Sequence, residues 1–419
     1  MRQNAIAIRS RSPLPSDPSE AFQRQWRGGL FHALGRSRNP QEMDGHFPSG
    51  FLTQYGIVSV GILEGHRERR IVGDIPDGLR RLLKQVSRSF YLTLAVLPAS
   101  LRGPLGLAYL LARAADTITD TRIIPPGDRR QYLDLFREDI DRPAASRLHE
   151  ISQALTGPQR IPAERDLLTR LPECFAAFRS LPEEDRQRIR NLLLTLTHGM
   201  QTDLRRFPGH GNNRLVALES SADLDEYTYY AAGCVGEFWT EMAMAHCPAL
   251  RDWDAPAMRN RGRRFGQGLQ MTNVLRDVAH DLRTGRCYLP RQDLARVGLA
   301  PEDLLDPAAV ERLRVLLREL VALTLNHYAQ GWTYILSIPA TEIRLRLACT
   351  LPHFIGLRTL ERVQKSRDLL DPRVTVKIPR PAVYAILLRS AATVWSDASL
   401  ERYYRALRGR IGAVPSPAG

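Results

Sequence analysis

The chain has 419 residues, with 59 Lys and Arg against 45 Asp and Glu and a formal net charge of +14 at pH 7. Hydrophobic residues make up 43% of it, enough to fill a large core, which excludes a fibrous or wholly disordered protein. The basic excess predicts attraction to polyanions, namely nucleic acid, an anionic membrane or a phosphorylated substrate, without choosing among them.

The first 74 residues differ in composition from the rest of the chain. Segments such as RSRSPLPSDPSE and GRSRNPQEMDG are rich in Arg, Ser, Pro and Gly and show no sustained helical period. We predict a poorly structured basic extension over residues 1–74. Two other interpretations stay open: a cleaved targeting segment, or a start codon placed too far upstream, with Met43 as one candidate for the true start.

Long amphipathic helices are predicted from residue 75 to residue 411. Apolar residues recur every three or four positions in stretches such as LRRLLKQVSRSFYLTLAVL and ERLRVLLRELVALTLNHYAQGWTYIL. Breaks fall at PPGD, FPGHGN and IPRP, and no alternation of period two is seen. We therefore predict one large all-α domain over residues 75–411, followed by a flexible tail over residues 412–419.

The stretch YLLARAADTITD places charge on an apolar helix. Its residues Tyr109, Arg113, Asp116 and Asp120 are spaced by four, three and four, so they share one face. An ionised carboxylate taken out of water is costly unless it is paired or binds a metal. Two interpretations stay open for this helix alone: Arg113 pairs with Asp116 while Asp120 faces solvent, or the two aspartates bind a metal ion.

A second stretch, QMTNVLRDVAHDL, repeats the arrangement and favours the metal. It carries Gln270, Asn273, Arg276, Asp277 and Asp281 as a polar stripe on an otherwise apolar helix. Two such helices facing each other can hold Mg²⁺, which prefers carboxylate oxygens and completes its shell with water and substrate phosphates. Arginines beside the acids can bind phosphate bidentately, so together the two stretches predict a diphosphate site.

Five motifs occur in an order that resembles a known family. They are VSRSFYLTL, YLLARAADTITD, YTYYAAGCVG, QMTNVLRDVAHDL with GRCYLP, and CTLPHFIGLRTL followed by VKIPR. Over about residues 75–380 the chain resembles the squalene and phytoene synthase family of head-to-head prenyl synthases, and squalene synthases most of all. The resemblance implies an all-α fold of the isoprenoid (class I terpene) synthase type with a central apolar cavity.

The resemblance also implies roles for individual residues. The metal ligands would be Asp116, Asp120, Asp277 and Asp281. Substrate binding would fall to Ser87, Arg88, Ser89, Arg113, Gln270, Asn273, Arg276 and Arg286. The residues taking part in catalysis would be Tyr227, Tyr109, Arg113, Asp116 and Asp277, with Tyr227 relaying a proton. Contact with NADPH would come from Asn273, Lys377 and Arg380.

Three positions depart from the family's pattern. Thr119 and His280 stand where each acidic motif usually carries a further acid, which puts the tightness of metal binding in doubt. Pro379 replaces a basic residue that resembles part of the NADPH contact, which weakens the cofactor prediction. Gly233 and Gly236 allow either passage of a prenyl chain beside the helix or close packing of two helices.

The predicted function is Mg²⁺-dependent coupling of two farnesyl diphosphates through presqualene diphosphate to squalene, with NADPH as reductant. CTLPHFIGLRTL and TVKIPR favour this reaction. The alternative is phytoene or dehydrosqualene formation without a reductant, favoured by GMQTDL and GRCYLPRQDLARVGL. A non-enzymatic helical protein that binds polyanions is the weakest hypothesis, because it leaves the matched acids and arginines on apolar faces unexplained.

The remaining predictions concern location and partners. No apolar run reaches the roughly 18 residues that a membrane span needs. Five widely spaced cysteines without a CxxC pair argue against a disulfide framework or a zinc site and favour a reducing compartment. We predict a cytoplasmic protein with a prenyl diphosphate substrate, no nucleic-acid partner, and peripheral contact with an anionic membrane at its inner face.

Overall fold

Amphipathic helices make up almost all of the structure, a computed structural model that describes residues 75–87, 90–121, 124–207 and 215–412. The predicted extension over residues 1–74 and the tail over 413–419 lie outside these residues. The α-helices in chain order are α1 (Asp77–Ser87), α2 (Phe90–Val96), α3 (Ala99–Asp120), α4 (Pro126–Asp141), α5 (Ala145–Thr156), α6 (Pro162–Thr169), α7 (Leu171–Arg179), α8 (Glu183–Arg206), α9 (Ser221–Thr228), α10 (Cys234–His246), α11 (Ala255–Arg283), α12 (Arg291–Arg296), α13 (Val310–Ser337), α14 (Ile343–Lys365), α15 (Arg380–Thr393) and α16 (Asp397–Gly412).

The longest helix, α11, carries the second acidic motif through the middle of the domain. Asp254 caps its first turn, since the carboxylate accepts a hydrogen bond from the Ala257 amide at 3.1 Å. At the other end Gly285 adopts a φ of 78°, a backbone conformation that favours glycine, and turns the chain back. The helix packs on α10, α13 and α14, so most of its residues are buried.

The first acidic motif lies at the end of α3, in a second group of helices. This helix packs on α1, α4, α6, α7 and α8 through a stripe of buried leucines that includes Leu107, Leu110 and Leu111. Both α3 and α11 contact α10. The two acidic motifs, about 160 residues apart in the sequence, therefore lie on helices that share a neighbour.

Close packing of α10 on α11 explains the glycines of the YTYYAAGCVG motif. A Cβ added to Gly236 would overlap the Gly262 carbonyl, and one added to Gly262 would crowd the Gly236 carbonyl. Gly266 approaches the Ala232 carbonyl in the same way. Of the two interpretations of Gly236, the structure therefore bears out helix packing. A Cβ on Gly233 would lie 3.1 Å from Gln267 of α11, which is also a packing contact.

A π-helical turn joins α9 to α10. It spans Tyr229–Gly233, inside the same motif, so that α9, the turn and α10 form one nearly continuous helical segment. A π turn holds one residue more than an α turn and is frequently found at functional sites. The turn lies directly after Tyr227, the residue that the resemblance assigns to proton relay.

The all-α prediction is confirmed, with one small exception. Two strands of two residues each, β1 (Val216–Ala217) and β2 (Arg286–Cys287), pair in parallel. They are too short to give the alternating pattern that reveals a strand in a sequence. The pair is nevertheless consequential, because it fixes the backbone of Arg286 against the segment that leads into α9.

The C-terminal helices pack on the domain through aromatic residues. Trp332 of α13 stacks on Tyr404 of α16 with ring centroids 4.4 Å apart, and its indole donates a 2.6 Å hydrogen bond to Glu401. The predicted boundary near residue 411 coincides with the end of α16. All five cysteines are buried and free. Within the described ranges, every helix is too short or too polar to cross a bilayer.

Candidate active site

The first acidic motif forms a buried ion-pair cluster. The Arg113 guanidinium binds Asp116 of its own helix through Nη1 and Glu164 of α6 through Nη2. Asp116 is fully buried, and Arg113 and Glu164 are nearly so. Burial alone lowers the pKa of Arg113, but Asp116 and then Glu164 raise it above its ordinary value. The pairing of Arg113 with Asp116, one of the two interpretations left open by the sequence, is therefore present.

Asp120 differs from Asp116 in its surroundings. It lies at the last position of α3, is only partly buried, and interacts electrostatically with Arg113 on its own helix and with Arg286 of β2. Asp120 is therefore close enough to both arginines to favour their charged forms.

The second acidic motif is more open than the first. Arg276 and Asp277 form a bidentate pair in which Nε and Nη2 donate to the two carboxylate oxygens, both at 2.9 Å. Their side chains keep 13% and 12% of their surface exposed, so ligands can reach them. Asp281, one turn further along α11, is buried and close enough to Tyr227 and Tyr288 to raise the pKa of both hydroxyls.

A line of hydrogen bonds runs from α11 to Tyr227. Asn273 donates from Nδ2 to Gln270 Oε1 at 3.2 Å, and Gln270 donates from Nε2 to the Tyr227 hydroxyl at 3.2 Å. The Oδ1 atom of Asn273 is buried and accepts no hydrogen bond within the part of the chain that the structure describes. The first two residues of the predicted polar stripe are thus linked to Tyr227, and Asn273 keeps an acceptor for a ligand.

Arg286 is held by a buried carboxylate that the sequence prediction omitted. Asp203 of α8 accepts a hydrogen bond from Arg286 Nη1 at 2.9 Å and one from the Tyr288 hydroxyl at 3.3 Å. Burial lowers the pKa of Arg286, whereas Asp203, followed by Tyr288 and Asp120, raises it well above its usual value. Arg286 also lies over the Phe207 ring, with 5.8 Å between its guanidinium carbon and the ring centroid.

Two of the other predicted residues contact backbone carbonyl groups, and two lie outside the described part of the chain. The Ser87 hydroxyl donates to the Leu83 carbonyl within α1, and the Tyr109 hydroxyl lies 3.5 Å from the Val86 carbonyl. Arg88 and Ser89, which follow Ser87 directly, lie outside the described residues. Their predicted contacts with phosphate stay predictions.

The predicted NADPH residues fall into two places. Lys377 and Arg380 are exposed, just before and at the start of α15, whereas Asn273 is engaged with Gln270 inside the domain. Pro379 stands at the N-terminal cap of α15, where a proline is well tolerated. Contact with NADPH stays a prediction.

The donor set fits Mg²⁺ when a diphosphate supplies further oxygens. The four aspartates offer the hard carboxylate ligands that Mg²⁺ prefers. In the described ranges, however, His, Cys, Asp and Glu side chains form no group of three or more that could hold a metal by themselves. Thr119 does not add a ligand, because its hydroxyl donates to the Asp116 carbonyl at 2.9 Å. Metal binding at this site would therefore depend on the substrate.

Small recesses border the site. One is apolar and lies between α11 and α13, where leucines of α13 face Leu275, Val278 and Leu289. The other is polar and reaches Asp203 and Tyr227 past Arg206 and Glu226. The long apolar cavity that the resemblance implies stays a prediction.

Three residues at the site were absent from the predicted set: Asp203, Glu164 and Tyr288. A signal for two of them was present, since GMQTDL and GRCYLP were recognised as motifs without a role for their aspartate and tyrosine. Glu164 had no such signal. It lies 51 residues from Arg113 on an unremarkable polar helix, and only the packing of α6 on α3 reveals its function.

Comparison with known proteins shows the family to which this chain belongs. Residues 83–380 match the family described as squalene/phytoene synthase. The chain belongs to the squalene/phytoene synthase family. Members of this family are prenyltransferases that condense prenyl diphosphates head to head, so the predicted family and enzyme class are confirmed.

Both branches of the family occur among the similar proteins. The squalene synthase of Eremothecium gossypii is 28% identical over 334 residues, which cover 79% of this chain and 71% of that protein. A bifunctional lycopene cyclase/phytoene synthase of Colletotrichum graminicola is 30% identical over 270 residues, covering 63% of this chain. The match spans only 42% of that longer protein.

The fold also matches solved structures of the family. A structure of TcSQS in complex with the ligand BPH1237 superposes with a TM-score of 0.66 at 23% identity, covering 82% of this chain and 94% of that one. A squalene synthase, HpnC from Alicyclobacillus acidocaldarius, gives a TM-score of 0.50 at 22% identity and covers 70% of this chain. At these identities the likeness concerns the fold.

Proposed function

We propose that the protein couples two farnesyl diphosphates head to head, through presqualene diphosphate, to squalene. The observation that carries this proposal is a buried cluster in which Arg286 pairs with Asp203, Tyr288 stacks on Tyr227 and Gln270 donates to Tyr227. Asp120 and Asp281 are close enough to this cluster to act electrostatically on Arg286 and Tyr227. Such a cluster combines acids for a metal, a guanidinium for phosphate and a hydroxyl for proton transfer.

Diphosphate departure is the step that the acids and arginines would serve. Asp116, Asp120, Asp277 and Asp281 would hold Mg²⁺, which supplies Lewis-acid stabilisation to a leaving diphosphate. Arg276 and Arg286 would bind phosphate oxygens, and both lie beside a predicted metal ligand in space. Because these groups are preorganised in a largely buried site, they stabilise developing negative charge better than water does.

NADPH would reduce the final intermediate to squalene in this proposal. Support for the squalene reaction comes from the match to squalene synthases, which covers 79% of the chain for Eremothecium gossypii. The exposed Lys377 and Arg380 offer positive charge for a phosphorylated cofactor. Pro379 weighs against it, since it removes one basic group from this segment.

The second candidate is phytoene or dehydrosqualene formation without a reductant. The observation that favours it is the 30% identity to a bifunctional lycopene cyclase/phytoene synthase. Both reactions share the same metal and diphosphate chemistry. They differ in the need for a reductant and, for phytoene, in the length of the prenyl chain.

One experiment separates the two reactions. Purified protein is incubated with farnesyl diphosphate or geranylgeranyl diphosphate and Mg²⁺, with and without NADPH, and the hydrocarbons are identified by mass spectrometry. We expect squalene only when NADPH is present. Dehydrosqualene without NADPH, or a C40 product, would support the second candidate, and absence of metal-dependent diphosphate release would overturn both.

A cytoplasmic location and peripheral contact with an anionic membrane belong to the same proposal. Exposed arginines such as Arg402, Arg405 and Arg408 line the outer face of α16. Arginine near an anionic surface favours binding by roughly 1 kcal/mol per residue. Contact of this kind would let an apolar product leave for a bilayer.

A further inference from the structure

A series of hydrogen-bonded groups leads from Tyr227 to Asp203. The Tyr227 ring stacks on the Tyr288 ring at 4.2 Å between centroids and 23° between planes. The two hydroxyls are hydrogen-bonded to each other, and each can act as donor or acceptor. The Tyr288 hydroxyl in turn donates to Asp203 Oδ1 at 3.3 Å.

The series is continuous from α11 to Asp203. Gln270 donates to the Tyr227 hydroxyl, Tyr227 and Tyr288 are hydrogen-bonded to each other, and Tyr288 donates to the Asp203 carboxyl group. A proton arriving at the Tyr227 oxygen can therefore be passed on by shifting one proton along each hydrogen bond. The series ends at an ionisable group, which is what a relay requires.

The surroundings of Asp203 suit a proton acceptor. Burial raises the pKa of its carboxyl group, and Arg286, which donates to Oδ2 at 2.9 Å, offsets only part of that rise. The polar recess beside Asp203 passes the partly exposed Arg206 and Glu226, so a proton on Asp203 has a route to solvent. A carboxylate that only anchored Arg286 would need neither the tyrosines nor the recess.

We propose that Asp203 is the final acceptor of the proton released in the coupling step, which reaches it from Tyr227 through Tyr288. This inference rests on the proposed function. As the substrate C–H bond breaks, its electron pair closes the new C–C bond of the cyclopropyl ring. The proton passes to the Tyr227 oxygen, the Tyr227 proton to Tyr288, and the Tyr288 proton to Asp203, so the cation is neutralised and both tyrosines end neutral.

The test measures how the farnesyl cation is divided between coupling and capture by water. Full-length Asp203→Asn and Tyr288→Phe proteins are given farnesyl diphosphate and Mg²⁺, and coupled product is measured per diphosphate released. We expect this ratio to fall at least about tenfold in both variants, since proton transfer by a positioned side chain typically contributes about 10²–10⁴-fold. A coupled cation that cannot lose its proton reverts to the farnesyl cation, which water captures, so farnesol rises. Asp203→Glu, which restores a carboxylate, should recover part of the ratio.

Controls separate the relay from a structural role. Asp139→Asn removes an equally buried carboxylate that pairs with Arg179 at 3.4 Å, away from the site, and should leave the ratio unchanged. A merely structural Asp203 would slow diphosphate release through Arg286 without changing the ratio, and that outcome overturns the relay. If the unsubstituted protein releases no diphosphate from farnesyl diphosphate, the proposed function itself fails.

Discussion

The two acidic helices carry similar sequence motifs but different structures. On α3 the arginine binds two carboxylates, Asp116 and Glu164, and the cluster is sealed from water. On α11 the arginine binds one carboxylate, Asp277, and the pair stays accessible. The difference arises because α6 supplies Glu164 to the first motif. A local sequence motif therefore determines the chemistry of a site, whereas the packing of other helices determines its exposure to solvent.

The variants with the largest expected effect test whether both acidic helices serve catalysis, although one motif is buried and the other accessible. Asp116→Asn and Asp277→Asn should each reduce Mg²⁺-dependent diphosphate release at least about 100-fold, because each removes a negative ligand. Asp277→Asn should also lower the free energy of unfolding by about 1–2 kcal/mol, because Arg276 loses the charge of its bidentate partner. If Asp116→Asn kept full activity while Asp277→Asn lost it, the first cluster would be structural and only the second motif would serve catalysis.

A second pair of variants measures the difference in burial. Arg113→Met leaves Asp116 and Glu164 facing each other in a dry interior and should lower the free energy of unfolding by about 3–5 kcal/mol. Arg276→Met leaves one carboxylate that water can reach, so about 1–2 kcal/mol is expected. Urea denaturation followed by circular dichroism gives both values. Equal losses would contradict the contrast between a sealed and an open motif.

The variant with the smallest expected effect tests Glu164, the carboxylate that α6 supplies. Glu164→Gln should cost about 1–2 kcal/mol of unfolding free energy, because Arg113 keeps Asp116 but loses one charged partner. Arg206 offers a matched control, since it also binds two acids, Asp223 and Glu226, but in a more exposed setting. Glu226→Gln should change stability by no more than about 0.5 kcal/mol. If Glu164→Gln left the free energy of unfolding unchanged, the pair of Arg113 with Asp116 alone would account for the stability of the buried cluster.

Helical periodicity made the fold predictable, whereas side-chain partners made parts of the site unpredictable. Apolar residues that recur every three or four positions identify α11 and α13 directly, and the spacing of four places Asp277 and Asp281 on one face of α11. Hydrogen bonds between distant helices leave no such trace. Asp203 meets Arg286 across 83 residues, and Glu164 meets Arg113 across 51, so only the tertiary packing reveals them.

The ambiguity between metal ligand and ion pair has the same origin. Asp116 in the sequence is compatible with both states, and the structure shows the ion pair. Both states need the same residue at the same position, because a buried carboxylate is costly unless a cation, either an arginine or Mg²⁺, lies beside it. Spacing alone therefore cannot distinguish a waiting ligand from a permanent salt bridge.

The π-helical turn Tyr229–Gly233 has a consequence for how this segment tolerates insertion and deletion. The extra residue offsets the helical register by about 100° between Tyr227 before the turn and Gly236 after it. Deleting a single residue there would restore a regular helix, yet it would rotate either the tyrosine away from its stacked partner or the glycine away from α11. Evolutionary change in chain length is thus more costly here than in the loops on either side.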